Sequence, residues 1–298
     1  GIILEARPDA LVQISSLCIK SGNCAILKGG KETANTNRVL FNVIKDAVVR
    51  AGMPEACLLQ VEQHNEIDEL LQCHESVDLL IPRGSNAFVR YIMDNTKIPV
   101  MGHADGICHT YVDEDCDFEK AIKIIIDAKT QYTAVCNATE TLLINRKIAP
   151  EFLPVLAKAL VGAQVKIRAN AEAHALVGDV EAEKIADDDF ANEYLDLIVA
   201  LKLVEDVKEA ADHINKYGSH HTDAIISENK INVERFMQLV DSAGVYANCS
   251  TRFADGFRYG FGAEVGVSTG KIHARGPVGL EGLVTYKYKL YGSGQIVG

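Results

Sequence analysis

The chain has 298 residues, 48% of them hydrophobic and 24% charged, which is enough to bury a large core and to build two domains. Its formal net charge is −11, and without a concentrated Lys/Arg cluster it offers no face for nucleic acid. No apolar run approaches the roughly 20 residues that span a bilayer, and no signal-like start is visible, so no membrane partner is expected.

The chain opens on Gly1 directly inside the apolar run Gly1-Ile2-Ile3-Leu4, and reads as a sequence whose N-terminal part lies upstream. Apolar strand-like runs then alternate with helical spacing. Strands are predicted at Ile2 to Leu4, Cys24 to Leu27, Cys57 to Val61 and Val77 to Ile81. Helices are predicted over Ala10 to Lys20 and Thr36 to Ala51, each closed by a glycine, Gly22 and Gly52. This alternation is the mark of βαβ units on a mostly parallel sheet, as in a Rossmann-type dinucleotide-binding domain.

From about Cys116 the pattern resumes with a helix over Asp117 to Lys129, a strand over Glu140 to Ile144, a helix over Ala149 to Val161 and a strand over Val165 to Ile167. It continues with a strand over Leu197 to Leu203, a helix over Asp206 to Lys216, a strand over Asp223 to Ile226 and a helix over Val233 to Val240. A second α/β domain follows from this. The tail from Leu283 to Tyr291 alternates apolar with polar residues and reads as an edge strand that pairs outside this chain. The expected division is 1–103 for the cofactor domain, 104–282 for the catalytic domain and 283–298 for an oligomerisation strand and tail.

Eight cysteines are scattered without CxxC pairs, which predicts no metal site and a reducing compartment. A buried small hydrophobe is the commoner role for any one of them. Cys136 stands apart because the stretch from Cys136 to Leu143 sets a polar cysteine step immediately before an apolar run that reads as a buried strand, where a thiolate could carry an acyl group.

Two turns have phosphate-binding chemistry. Lys28-Gly29-Gly30-Lys31 follows one strand with two glycines and two lysines, although it lacks GxGxxG spacing. Pro82-Arg83-Gly84-Ser85-Asn86 follows another and presents amides and a hydroxyl at a helix start. An ordinary strand-to-helix turn explains the first set equally well and the second is a weak signal alone, but two such turns in one domain carry more than either.

Five stretches taken in order narrow these alternatives: Leu4 to Asp9, Leu27 to Glu32, Cys136 to Leu143, Tyr217 to Asp223, and His273 to Leu280. Together they resemble the γ-glutamyl phosphate reductases (glutamate-5-semialdehyde dehydrogenases), a branch of the aldehyde dehydrogenase superfamily. Members occur free-standing or as the reductase domain of bifunctional pyrroline-5-carboxylate synthases. The resemblance implies the α/β aldehyde dehydrogenase fold and reduction of L-glutamyl 5-phosphate in proline biosynthesis. It also implies a homo-oligomer, a glutamate 5-kinase as partner or fused domain, and the cytoplasm, or the mitochondrial matrix for a eukaryotic synthase.

Residue by residue, the resemblance makes Cys136 the nucleophile, with the amide of Cys136 and the side chain of Asn137 as candidate oxyanion donors. It implies that Lys28 and Lys31 bind the cofactor, with position 31 the one that meets the adenosine ribose. A lysine at position 31, where NAD-preferring relatives carry glutamate, implies NADPH, since an ammonium attracts a 2′-phosphate. Gly84 and Ser85 correspond to the pyrophosphate turn and Glu193 to a glutamate that holds the nicotinamide ribose. Arg7, Asp9, His220, Arg252 and Arg275 are candidates for the substrate, with Arg258 close to the same motifs. The superfamily's general-base glutamate is replaced in His103-Ala104-Asp105-Gly106, which suits a reductase that keeps water from its thioester. An aldehyde dehydrogenase acting on another semialdehyde and an inactive binding module are the competing readings.

Overall fold

The computed structural model describes residues 1–4, 8–62, 65–271 and 274–298. The first βαβ series comprises β1 (Ile2–Ile3), α1 (Pro8–Ser21), β2 (Ala25–Lys28), α2 (Ala34–Arg50), β3 (Leu58–Val61), α3 (Asn65–Gln72), β4 (Ile81–Pro82) and α4 (Asn86–Asp94). Its strands form a parallel sheet in the order β3-β2-β1-β4. Helices on such a sheet need sharp exits, and Gly22 and Gly52 supply them with φ of 77° and 88°, a left-handed backbone that a side chain disfavours.

One strand departs from expectation. The run predicted over Val77 to Ile81 pairs as a strand only at Ile81–Pro82, because Leu80 bridges instead to Val100 on its other side. That bridge brings Met101, Gly102 and His103 alongside the end of β4.

The second series comprises β5 (Cys108–Val112), α5 (Phe118–Thr130), β6 (Thr139–Asn145), α6 (Ala149–Gly162), β7 (Lys166–Ala169), α7 (Ala171–His174), β8 (Ala182–Lys184) and β9 (Ile198–Val204), and then α8 (Val207–Tyr217), β10 (Thr222–Ile226), α9 (Lys230–Leu239) and β11 (Gly244–Ala247). These strands make a seven-stranded sheet in the order β11-β10-β5-β6-β9-β7-β8, parallel throughout. Every residue of β5, β6 and β10 is buried, as expected of central strands with helices on both faces. The helices start where short acids cap them: Asp117 accepts from Lys120 N at 2.9 Å and Asp206 from Glu209 N at 2.9 Å.

After α10 (Gly256–Tyr259), the ribbon of β12 (Gly266–Ser268) and β13 (Gly276–Val278) is antiparallel. Val265 just before the ribbon and Val278 at its end pack into the core of the first sheet with Leu11, Leu27 and Leu58, so the late chain returns to the first series. The expected edge strand does not form within the single chain. Residues 281–283 make a 3₁₀ turn, and the stretch beyond is exposed, with Tyr286 at 80% and Leu290 at 98%. A strand has to be paired, and these residues meet no free sheet edge among the described residues. No helix of the described residues is long and apolar enough to cross a membrane.

Candidate active site

A parallel sheet collects like ends of its strands on one edge, and both sheets use this to assemble one cleft. In the second sheet β10, β5 and β6 are neighbours, so the residues that enter them lie side by side: His221 before β10, Cys108 at the head of β5, and Cys136 three residues before β6. In the first sheet the exit of β4 supplies Arg83, Gly84 and Ser85. The cleft between them has a volume of about 580 Å³; its lining includes Arg83, Gly84, Ser85, His103, Cys136 and Glu193.

Cys136 sits on a turn closed by the Ala138 amide donating to the Val135 carbonyl at 3.0 Å. Gly106 presses on it so closely that a Cβ there would lie 2.2 Å from the Cys136 carbonyl oxygen. The turn is pinned from beneath by a run of buried polar groups. Thr110 and Thr139 share a hydroxyl hydrogen bond at 2.9 Å, Thr139 and Thr251 another at 3.1 Å, and the Thr251 hydroxyl donates to the Asn137 carbonyl at 2.7 Å. Asn137 Nδ2 donates to the Ala254 carbonyl at 2.9 Å, while Arg252 donates Nη1 to Asn137 Oδ1 and Nε to Gln131 Oε1. The side chain expected as an oxyanion donor is therefore engaged in holding the turn, and Arg252, expected to meet substrate, is buried against it.

Burial pushes the Cys136 thiol up, but the His221 imidazole beside it, followed by the Arg83 guanidinium, more than offsets this, so its pKa lies below the ordinary cysteine value. Ligand-capable atoms of His103, Cys136 and His221 all lie within 4.8 Å of one another. The two histidine rings meet edge to face, with centroids 4.7 Å apart. His103 Nδ1 is 2.7 Å from the Val267 carbonyl, and burial holds this imidazole below its usual pKa. His221 is fully buried; its Nδ1 lies 3.0 Å from the Thr222 hydroxyl and its Nε2 has no hydrogen-bond partner.

The remaining predicted residues divide between the cleft and elsewhere. Gly84 and Ser85 line it, as does Glu193, whose Oε2 accepts from Asn86 Nδ2 at 2.8 Å on the first turn of α4. Ser85 caps that nine-residue helix without a side-chain cap bond. Lys28 lies buried at the exit of β2 and donates Nζ to the Gly29 carbonyl at 2.7 Å; Lys31 is exposed nearby. Arg275 is tied to Asp241 by a 3.0 Å ion pair, and Asp9 is exposed at the start of α1. Arg7 lies outside the described residues.

Of the paired histidines, His220 is turned to the Asp241 carbonyl at 2.6 Å, and His221 is the one beside Cys136. His220 has φ of 59°, an uncommon value for a residue with a side chain, and the strain falls next to the functional residue. For Arg83 the sequence carries only its place in the Pro82 to Asn86 turn after a parallel strand, because a lone arginine makes no pattern of its own.

The aldehyde dehydrogenase family model matches residues 11–188. The γ-glutamyl phosphate reductase of Ruminiclostridium cellulolyticum is 58% identical over 297 residues, covering 100% of this chain and 68% of the relative. γ-Glutamyl phosphate reductase 1 of Synechocystis is 57% identical, covering 99% of this chain and 68% of its own length. The crystal structure of γ-glutamyl phosphate reductase from Thermotoga maritima superposes with a TM-score of 0.96 at 41% identity, covering 100% of this chain and 72% of that one. An acetylating aldehyde dehydrogenase from Geobacillus thermoglucosidasius shares the fold, with a TM-score of 0.67 at 18% identity over 99% of this chain and 76% of that one. Similarity of this depth along the whole sequence, on a fold that brings Cys136 to a cleft between two parallel sheets, means that the chain belongs to the γ-glutamyl phosphate reductase family of the aldehyde dehydrogenase superfamily.

Proposed function

We propose that the chain reduces L-glutamyl 5-phosphate to L-glutamate 5-semialdehyde with NADPH and releases phosphate, the second step of proline biosynthesis from glutamate. The observation that carries this reading is the half-buried Cys136, its pKa lowered by His221 and Arg83, in the cleft that also holds Gly84, Ser85 and Glu193.

The family implies a nicotinamide cofactor, and the first sheet fits one. A Cβ at Gly84 would come within 2.6 Å of the Phe88 ring, so the turn stays bare and its backbone can approach a pyrophosphate at the start of α4. Glu193 offers a carboxylate in the same cleft for ribose hydroxyls. Lys31 at the exit of the β2 turn favours a 2′-phosphate, which argues for NADPH.

In the reaction the Cys136 thiolate attacks the γ-carbonyl and phosphate leaves, which gives a γ-glutamyl thioester. Reduced nicotinamide supplies the hydride for the second half. Arg83 is placed to meet phosphate or carboxylate oxygens in the cleft. The Cys136 amide serves the carbonyl oxygen, while Asn137 and Arg252 keep the turn in register. After reduction the thiolate returns and the aldehyde departs.

The substrate is a labile acyl phosphate, so a glutamate 5-kinase, as partner or fused domain, must supply it. The exposed Tyr286 to Tyr291 stretch suits strand pairing with another protomer, and a division at 1–103, 104–282 and 283–298 remains our proposal for the domains. We place the protein in the cytoplasm.

The test runs the reaction backward. Glutamate semialdehyde, phosphate and NADP⁺ should yield NADPH at a rate that depends on phosphate. Turnover that proceeds equally without phosphate would mark an aldehyde oxidiser and overturn the reading.

A further inference from the structure

The three donors that converge on the cleft are a thiol and two imidazoles, drawn from segments far apart in the sequence: His103 ahead of β5, Cys136 ahead of β6 and His221 ahead of β10. We propose that they form a binding site for a thiophilic divalent cation, Zn²⁺ foremost, and that its occupation shuts the enzyme off reversibly. The chemistry of the set is that of a zinc site with three protein ligands and one open position.

The geometry needs little adjustment. A tetrahedral Zn²⁺ with bonds of about 2.0–2.3 Å sets its ligands roughly 3.3–3.8 Å apart, and the donor atoms are already within 4.8 Å of one another. Closing about 1 Å is within side-chain rotation. The Val267 carbonyl holds His103 Nδ1, which leaves Nε2 for a ligand, and a backbone carbonyl on the second nitrogen is the usual support of a metal-bound histidine. His221 is 0% exposed and its Nε2 meets no hydrogen-bond partner, so a buried polar atom stands ready for an electrophile. The open cleft supplies the fourth position, for water or an anionic ligand. A sulfur and two nitrogens select Zn²⁺, Co²⁺ or Cd²⁺ over Mg²⁺, which requires oxygen ligands.

Binding displaces the thiol proton to solvent and engages the sulfur lone pair. That same pair would attack the acyl phosphate, so the metal competes with substrate; this consequence, unlike binding itself, rests on Cys136 being the nucleophile.

The experiment titrates the protein with Co²⁺ without substrate and follows thiolate-to-cobalt charge-transfer absorption in the near ultraviolet. One equivalent should bind with that band, and Cys136→Ser should remove it. Loss of even an outer-sphere partner weakens metal sites about 10–100-fold, so His103→Ala should weaken Co²⁺ by at least tenfold. His103→Cys should restore tight binding, with circular dichroism reporting the fold of each variant. In the activity assay Zn²⁺ should inhibit, a chelator should reverse it and Mg²⁺ should have no effect. Absence of the band in the native protein, or its survival undiminished in Cys136→Ser or His103→Ala, overturns the site. An inactive protein that still binds one Co²⁺ through Cys136 supports the site and faults the catalytic reading alone.

Discussion

Gly106 lies so close to Cys136 that a single added methyl group would sit 2.4 Å from the Cys136 Cα and 2.2 Å from its carbonyl oxygen. Both atoms are backbone, so no rotamer relieves the clash, and the turn itself has to move. Gly106→Ala should therefore lower kcat by about 100-fold, the loss expected from misplacing a reacting group by about 1 Å. The measurement is steady-state kinetics beside a thermal melt; a folded variant with native kcat would show that the turn tolerates displacement.

His221 and the Arg83 guanidinium hold the Cys136 thiol low against its burial, and each can be removed. Taking away the Arg83 cation makes the thiolate less favourable, so Arg83→Gln should raise the thiol pKa, and His221→Ala should raise it further. The rate of iodoacetamide alkylation against pH reports this, with its midpoint moving to higher pH. A midpoint that stays in place in both variants would assign the lowered pKa to another cause.

Lys31 is exposed beside the exit of β2, where its charge is felt through solvent. A unit charge at a few ångströms is worth about 1 kcal/mol in water, and Lys31→Glu changes two charges. The preference for NADPH over NADH, measured as the ratio of kcat/KM values, should fall by about tenfold or more. An unchanged ratio removes Lys31 from cofactor choice.

Four residues beyond Cys136, Glu140 pairs with Lys129 at 2.7 Å, both fully buried. Burial raises the Glu140 carboxyl from 4.5 to about 7, with Lys129 pulling the other way. A folded pKa above the unfolded one means that the native state binds more protons between these values, so this acid's contribution to stability is lost as pH rises through that window. Lys129→Met removes the opposing cation and should cost about 3–5 kcal/mol, with the larger loss at high pH. Urea unfolding at pH 5 and pH 8 measures it; an equal loss at both would contradict the assignment. Adding Glu140→Leu should recover much of the loss.

The helices and strands were legible because their causes are local. Apolar spacing of three and four residues, acids such as Asp117 and Asp206 at helix starts, and Gly22 and Gly52 at helix ends all lie within a turn of what they control. The sequence alone therefore determined the α/β series and, through its ordered motifs, the family; it also singled out Cys136, Gly84, Ser85 and Glu193, which line one cleft. It left Cys136 as one of eight cysteines on purely physical grounds. Tertiary structure decided the rest: parallel pairing of β10, β5 and β6 sets His221 rather than His220 beside the thiol, the bridge of Leu80 to Val100 carries His103 in, and Arg252 turns to Asn137. Such neighbours are fixed by which strands pair and by what burial requires of each polar atom, and neither is written in the spacing of a single segment.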